Sequence, residues 1–276
     1  LSDRITAEDL SNQGLKIYTT LDVIYQRMAD IALYKDVVAL EAKYKIQRPL
    51  RLEGLLVSAS PKNGFIRALI GGRNYTDTTF NRVLNMKRQV GSSFKPVAYL
   101  AALMKGEDTH GKKINPAYMV TDEPWKYEYD KKEWTPHNYE KTWRGSITLF
   151  EGFVNSINIP MAKIATDIGI ENVTALGEQL GITTKLRSIP ALCLGAVELS
   201  AMELLQVYSV FANRGEKRDL TTIRAVIDAS GRTIASYNPQ TTQVVDAKYI
   251  DILNLMLHGV TIEGTAKSLP QLGYSK

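Results

Sequence analysis

Two serines precede a lysine in QVGSSFKP, residues 89–96 of the 276-residue chain. A serine attacks a carbonyl only when a nearby group takes its proton. On a helix, Ser92 and Lys95 stand three apart and share one face, with Cβ atoms about 5–6 Å apart. Ser93 and Lys95 stand two apart and point away from each other. The spacing therefore selects Ser92 as nucleophile and Lys95 as base, and leaves Ser93 to pack or hydrogen-bond elsewhere. Gly91 permits a tight start to such a helix, and its positive end favours an oxyanion. Lys95 must be neutral to act as a base. Bringing a lysine from about 10.4 to near 7 costs roughly 4–5 kcal/mol, which burial or a second cation could supply. A Ser-x-x-Lys pair arises by chance about once in a chain of this length. Ser92 is the one serine with lysine at the third position after it, and the pair taken alone reads as two surface side chains on a helix rather than as a site.

Other chemistries fit less well. His110, His137 and His258 are far apart and pair with no Cys or acid at metal-ligand spacing, so no metal site and no cofactor is expected. No Gly-x-Ser-x-Gly elbow occurs. Gly71-Gly72 is not followed by Lys-Ser/Thr and reads as a turn, not a phosphate loop. Net charge is +5 with a pI of about 9.1, but each basic cluster has acids beside it. Nucleic acid is therefore not an expected partner, whereas an anionic surface such as cell wall is compatible. Hydrophobic residues make up 44% of the chain, enough for a substantial core, and no apolar run approaches a membrane span. Cys193, the single cysteine, sits among apolar neighbours and reads as a core thiol.

The elements that position these residues can be read from periodicity. Residues 15–21 read as a strand. From Asp22 to 45, Ile24, Met28, Ile31 and Val38 keep near-helical spacing and predict a helix buried on that face. Residues 53–72 form two apolar runs around Pro-Lys-Asn-Gly, a hairpin. A helix is expected over 92–105, stopping at Gly106. The span 107–145 is polar and aromatic without a period, as in a functional loop. Helices follow near 147–156, 160–168, 171–180 and 197–213, a second hairpin turns at Ser230-Gly231, and a last helix covers about 246–260. A strand pair, a mostly helical block and further strands predict an α/β or mixed α+β fold.

FNRVLNMKRQVGSSFKP (80–96) resembles the active-site segment of class A penicillin-binding proteins, in their transpeptidase domain. GLKIYTTLD (14–22) is similar to the start of that domain. WTPHNY (134–139) is similar to the family's Trp-x-Pro-x-Asn-Tyr, and VNSINIP (154–160) supplies Ser156-Ile157-Asn158 as its Ser-x-Asn motif. The segments at 191–215 and 261–268 follow the family as well. The resemblance implies a penicillin-binding protein/β-lactamase-like fold, a sheet with flanking helices and a large helical subdomain. It implies that Ser92 attacks a stem peptide ending in D-Ala-D-Ala and that Lys95 takes the proton. Ser156 would relay a proton to the leaving D-Ala, and Asn158 would hold Lys95 and the substrate amide. Trp134 and Asn138 would contact substrate, and Lys276 would open the Lys-Thr-Gly motif. Taken without the resemblance, Ser156 and Asn158 stand between two helices, where such residues commonly cap ends.

The implied activity is that of a peptidoglycan D,D-transpeptidase acylated by β-lactams. A β-lactam-binding sensor or scaffold without turnover, and a D,D-carboxypeptidase, remain alternatives. Residues 1–13 are expected to be a linker from a preceding domain, and 14–276 a transpeptidase domain whose last strands lie beyond the chain. A glycosyltransferase domain and a membrane anchor are expected outside it, on the extracytoplasmic face of a bacterial cytoplasmic membrane.

Overall fold

The structure is a computed structural model that describes residues 14–273 except 48 and 238. In chain order its main elements are strand β1 (Lys16–Thr19), helix α1 (Val23–Lys43), strands β2 (Leu56–Ser60) and β3 (Phe65–Ile70), and helix α2 (Lys95–Lys105). Strands β4 (Met119–Asp122), β5 (Tyr127–Tyr129), β6 (Lys132–Trp134) and β7 (Gly145–Thr148) follow. Helices α3 (Leu149–Val154), α4 (Asn158–Asp167), α5 (Ile170–Gln179) and α6 (Ala201–Ala212) come next, then strands β8 (Ile223–Ile227) and β9 (Thr233–Ser236), and helix α7 (Ala247–Ile262). The chain divides into two compact units. One holds the residues up to Lys87 with Ser200–Thr242, and the other holds Arg88–Leu199 with the residues from Gln243 on.

The first unit is built on strands. β1 pairs antiparallel with β8, and β8 with β9, so the expected strand at 15–21 and the hairpin at Ser230-Gly231 are both present. The β2–β3 hairpin runs from Leu56 opposite Ile70 to Ser60 opposite Phe65. The buried Thr20 hydroxyl donates to the carbonyls of Ile66 (2.8 Å) and Thr221 (2.9 Å), tying β3 to the segment before β8. Asp22 caps α1 by accepting from the amides of Ile24 and Tyr25.

The helix at α1 is as expected, but its buried face is not. Ile24, Met28, Ile31 and Val38 are all exposed, whereas Ala29 and Val37 are buried. Ala29 meets Ala68 and Ile70 of the hairpin, with Leu33 and Leu56 against them. Residues 29, 33 and 37 form one ridge, and alanines at 29 and 68 let helix and hairpin approach closely. Apolar residues occur all round this helix, so spacing alone does not single out one face.

The second unit is mainly helical. At its centre is α2, with every residue from Lys95 to Leu103 buried and α4, α5 and α7 packed around it. Gly106 ends it in the left-handed conformation (φ 78°), as expected. The first turn of the expected 92–105 helix is 3-10 (Gly91–Phe94), closed by the Lys95 amide donating to the Ser92 carbonyl.

The span 107–145 is not an irregular loop. β4 pairs with β7, placing Met119 opposite Thr148, and β5 pairs with β6, placing Tyr127 opposite Trp134. The tight turn between β5 and β6 holds Asp130 and Lys131 at φ 46° and 58°. Hairpin turns with two positive φ values normally announce themselves by Asn-Gly or Asp-Gly. Here neither residue is glycine, so the hairpin left no signal in the sequence.

Helix α3 starts with a capping box. The Glu151 amide donates to the Thr148 hydroxyl (3.1 Å), and the Thr148 amide donates to the Glu151 carboxylate (2.7 Å). That carboxyl is held below the usual range first by the Thr148 amide and then by its hydroxyl. Thr148→Ala removes the cap from the helix leading to Ser156 and is expected to cost about 1 kcal/mol. Chemical denaturation measures this, and an unchanged midpoint would refute it.

Candidate active site

The site begins with a backbone clamp. The Val90 amide donates to the Val197 carbonyl and the Gly91 amide to the Gly195 carbonyl, both at 3.1 Å. Gly91 and Gly195 both have positive φ, and a Cβ on Gly195 would lie 1.9 Å from the Gly91 carbonyl oxygen. Only glycine permits two backbones to approach so closely. The clamp fixes the turn carrying Ser92 and Ser93 ahead of α2.

The two serines diverge as their spacing predicts. Ser92 is exposed, whereas Ser93 turns back and donates from Oγ to the Val90 carbonyl at 2.6 Å. Ser92 lines a cavity of about 330 Å³ together with Asn155, Ser156, Asn158 and Thr265.

Lys95 is only 3% exposed. Its Nζ donates to the Ser156 carbonyl (2.5 Å), Ser156 Oγ (3.0 Å) and Asn158 Oδ1 (2.7 Å). Burial pushes the Lys95 ammonium down to about 8, and charge on Cys193 would oppose the shift. Burial in turn pushes the Cys193 thiol up to about 12. Cys193 is therefore uncharged where Lys95 titrates, and desolvation acts unopposed. Cys193 is buried, as expected, and donates from Sγ to the Pro190 carbonyl (3.0 Å).

Ser156 has φ 54°. A non-glycine residue there carries roughly 1–2 kcal/mol of strain. The conformation turns its carbonyl and its hydroxyl onto the same ammonium. Asn158 is the first residue of α4, and the position before the helix is Ile157, which makes no side-chain cap. Neither Ser156 nor Asn158 therefore caps a helix. Asn158 Nδ2 donates instead to the His137 carbonyl (2.8 Å), leaving Oδ1 for Lys95.

The cap for α4 comes from Asn138, which is 8% exposed. Its Oδ1 accepts from the amides of Asn158 and Ile159 at 3.2 Å each. Its Nδ2 donates to Asp122 Oδ1 (2.7 Å) and the Thr142 carbonyl (2.9 Å). Asn138 lines the cavity, but its amide is fully engaged in orienting α4. Asp122, 1% exposed, uses its other oxygen to accept from the Arg144 amide (2.9 Å). Sequence reasoning missed Asp122; an acid at an inward position of a short strand was the available sign.

Trp134 does not join this cavity. It lies on β6, edge-on to Trp125 with ring centres 6.3 Å apart. Lys276 lies outside the described residues.

A serine and a poorly solvated lysine at one helix start, with a serine hydroxyl from a second segment held on that lysine, suit acyl transfer. The sequence matches the penicillin binding protein transpeptidase domain family over residues 54–275. It is 30% identical to penicillin-binding protein 1B of Vibrio cholerae, over 98% of this chain and 34% of that protein. It is 35% identical to penicillin-binding protein 1A of Aquifex aeolicus, over 78% of this chain and 29% of that protein. The PonA1 structure from Mycobacterium tuberculosis, in complex with penicillin V, superposes with a TM-score of 0.76. That match has 22% identity and covers 94% of this chain and 67% of that one. The chain belongs to the transpeptidase domain family of penicillin-binding proteins, and its mixed α/β fold is that of the family. Its curated relatives include the 1A and 1B proteins, in line with the class A resemblance, and it spans about a third of their length.

Replacing Ser156 separates strain from chemistry. Ser156→Ala and Ser156→Gly both remove the hydroxyl, but only glycine relieves the positive φ. The glycine variant is expected to be more stable than the alanine variant by about 1 kcal/mol, with acylation by a β-lactam slowed in both. Equal stability by denaturation would contradict the strain at Ser156.

Proposed function

We propose that this domain is a serine-type D,D-transpeptidase of peptidoglycan synthesis, acting on the extracytoplasmic side of a bacterial membrane. The contact of Ser156 Oγ with a buried Lys95 carries the reading. An ammonium has three protons to donate, and the three acceptors around Lys95 use them all. A neutral amine has two protons and one lone pair. The carbonyl of Ser156 and Oδ1 of Asn158 can only accept, whereas the Ser156 hydroxyl can reverse and donate. Proton movement at Lys95 is thereby coupled to Ser156 and to no other of its partners.

In this reading, neutral Lys95 takes the proton as Ser92 Oγ attacks the carbonyl between the two D-Ala residues of a stem peptide. The C–N bond of the tetrahedral intermediate breaks, and the leaving amine of D-Ala receives a proton by way of Ser156. An ester to Ser92 remains. An amine of a second stem peptide attacks that ester and forms the cross-link as the C–O bond to Ser92 breaks, and the proton it gives up passes by way of Lys95 to Ser92 Oγ. A β-lactam acylates Ser92 by the same first step. Asn158 holds Lys95 in place, and Asn138 and Asp122 hold Asn158.

Fluorescent penicillin labelling of the intact protein tests this. Ser92→Ala is expected to abolish labelling and Ser93→Ala to retain it. Lys95→Arg keeps a cation but supplies no base, and acylation is expected to fall at least about 100-fold. Labelling that survives Ser92→Ala, or a near-native rate in Lys95→Arg, would overturn the assignment.

A further inference from the structure

A second cavity, of about 530 Å³, lies in the same unit and shares no residue with the Ser92 cavity. Tyr118, Trp125 and Tyr127 line it together with Asp108, Asp167 and Lys163. Trp125 and Tyr127 lie 5.5 Å apart with their planes inclined by 30°. Trp134 meets Trp125 edge-on at 79° and restricts its rotation.

The cavity carries unmatched negative charge. Asp108 accepts from the Tyr118 hydroxyl (2.8 Å) and from the amides of His110 (2.9 Å) and Lys112 (2.7 Å). Asp167 accepts from the Thr109 hydroxyl (2.6 Å) and amide (3.3 Å). All of these donors are neutral, and among the described residues neither carboxylate has an ion-pair partner within 4.0 Å. Both charges act on one phenol. Tyr118 is pushed up to about 12, first by burial, then by its bond to Asp108 and by the charges of Asp108 and Asp167. Lys163 adds no free positive charge. Its Nζ donates to Thr121 O and Oγ1 and to Glu123 Oε1 at 2.9–3.0 Å, which uses all three protons, and Glu123 matches its charge.

Two unmatched carboxylates beside aromatic rings select one kind of cation. A metal ion would leave most of this volume empty, and among the described residues no group of three His, Cys, Asp or Glu gathers to hold one. An alkylammonium group suits both features. The carboxylates attract its charge, the ring faces attract the cation, and its methylene stem covers apolar ring surface. One ammonium already rests on a lining ring: Lys112 Nζ lies 4.5 Å from the centre of Tyr118. We propose that this cavity binds an alkylammonium group, as a free amine or as the side chain of a lysine-like residue in a peptide. The site goes beyond the reading at Ser92 and does not rest on it.

Fluorine NMR of the intact protein labelled with 5-fluorotryptophan reads the site, and the Trp125 resonance is the one missing from Trp125→Phe. The probes are Nα-acetyl-lysine amide, its uncharged counterpart Nα-acetyl-norleucine amide, and n-butylammonium. All are used at pH 8, where an ordinary histidine is neutral, because a charge on His110 would act on Asp108. Acetyl-lysine amide is expected to shift the Trp125 resonance saturably, and norleucine amide is not. Asp167→Asn, which keeps an oxygen for Thr109, and Tyr127→Ala should each raise the midpoint at least about fivefold, while penicillin labels Ser92 at the native rate. Binding of n-butylammonium at least as tight as that of acetyl-lysine amide would assign the site to a free amine, and tighter binding of the lysine amide to a peptide side chain. No saturable shift with either ammonium would overturn the proposal. So would an equal response to norleucine amide, or a midpoint unchanged in Asp167→Asn.

Discussion

Lys95 is almost wholly buried, and a buried ammonium persists only where its protons find acceptors. The turn at 156–158 provides them, and much of the surrounding structure holds that turn in place. Ser156 adopts a left-handed backbone so that two of its oxygens face one nitrogen. Asn158 is fixed through its amide by Asn138, and Asn138 is fixed in turn by Asp122. Removing any of these leaves a buried polar group unpaired, at about 1–3 kcal/mol each.

The burial that makes Lys95 costly also makes it useful. A fall from 10.5 to about 8 corresponds to roughly 3 kcal/mol against the protonated form. Because the folded value lies below the unfolded one, that cost is fully present below about pH 8 and fades as pH rises towards 10.5. The domain therefore carries it at neutral pH and gains a lysine that can surrender its proton there. Sequence reasoning asked for a shift to near 7 and offered burial and a second cation as its causes. Desolvation provides the smaller shift to about 8, and Cys193 nearby is a neutral thiol.

What could be read from the sequence depended on whether a local rule was at work. Three-residue spacing sorted Ser92 from Ser93 because helix geometry is fixed. The β2–β3 hairpin was legible through its turn residues, and the end of α2 through Gly106. The left-handed Ser156 was not legible, since its backbone answers to Lys95, 61 positions earlier. The four bonds of Asn138 reach residues up to 21 positions away. The face of α1 was misread because small residues set the contact with the hairpin. Trp134 was named by motif likeness, and a motif does not say which way a hairpin presents its rings; on β6 it meets Trp125 edge-on.

The protonation state of Lys95 can be read directly by NMR. With lysine labelled at Cε and Nζ, the Lys95 resonance is the one missing from Lys95→Arg, and its shift can be followed against pH. A midpoint near pH 8 is expected, well below those of the exposed lysines. A midpoint at or above about 10, the range of ordinary lysines, would mean that Lys95 stays protonated at neutral pH and cannot take the proton of Ser92.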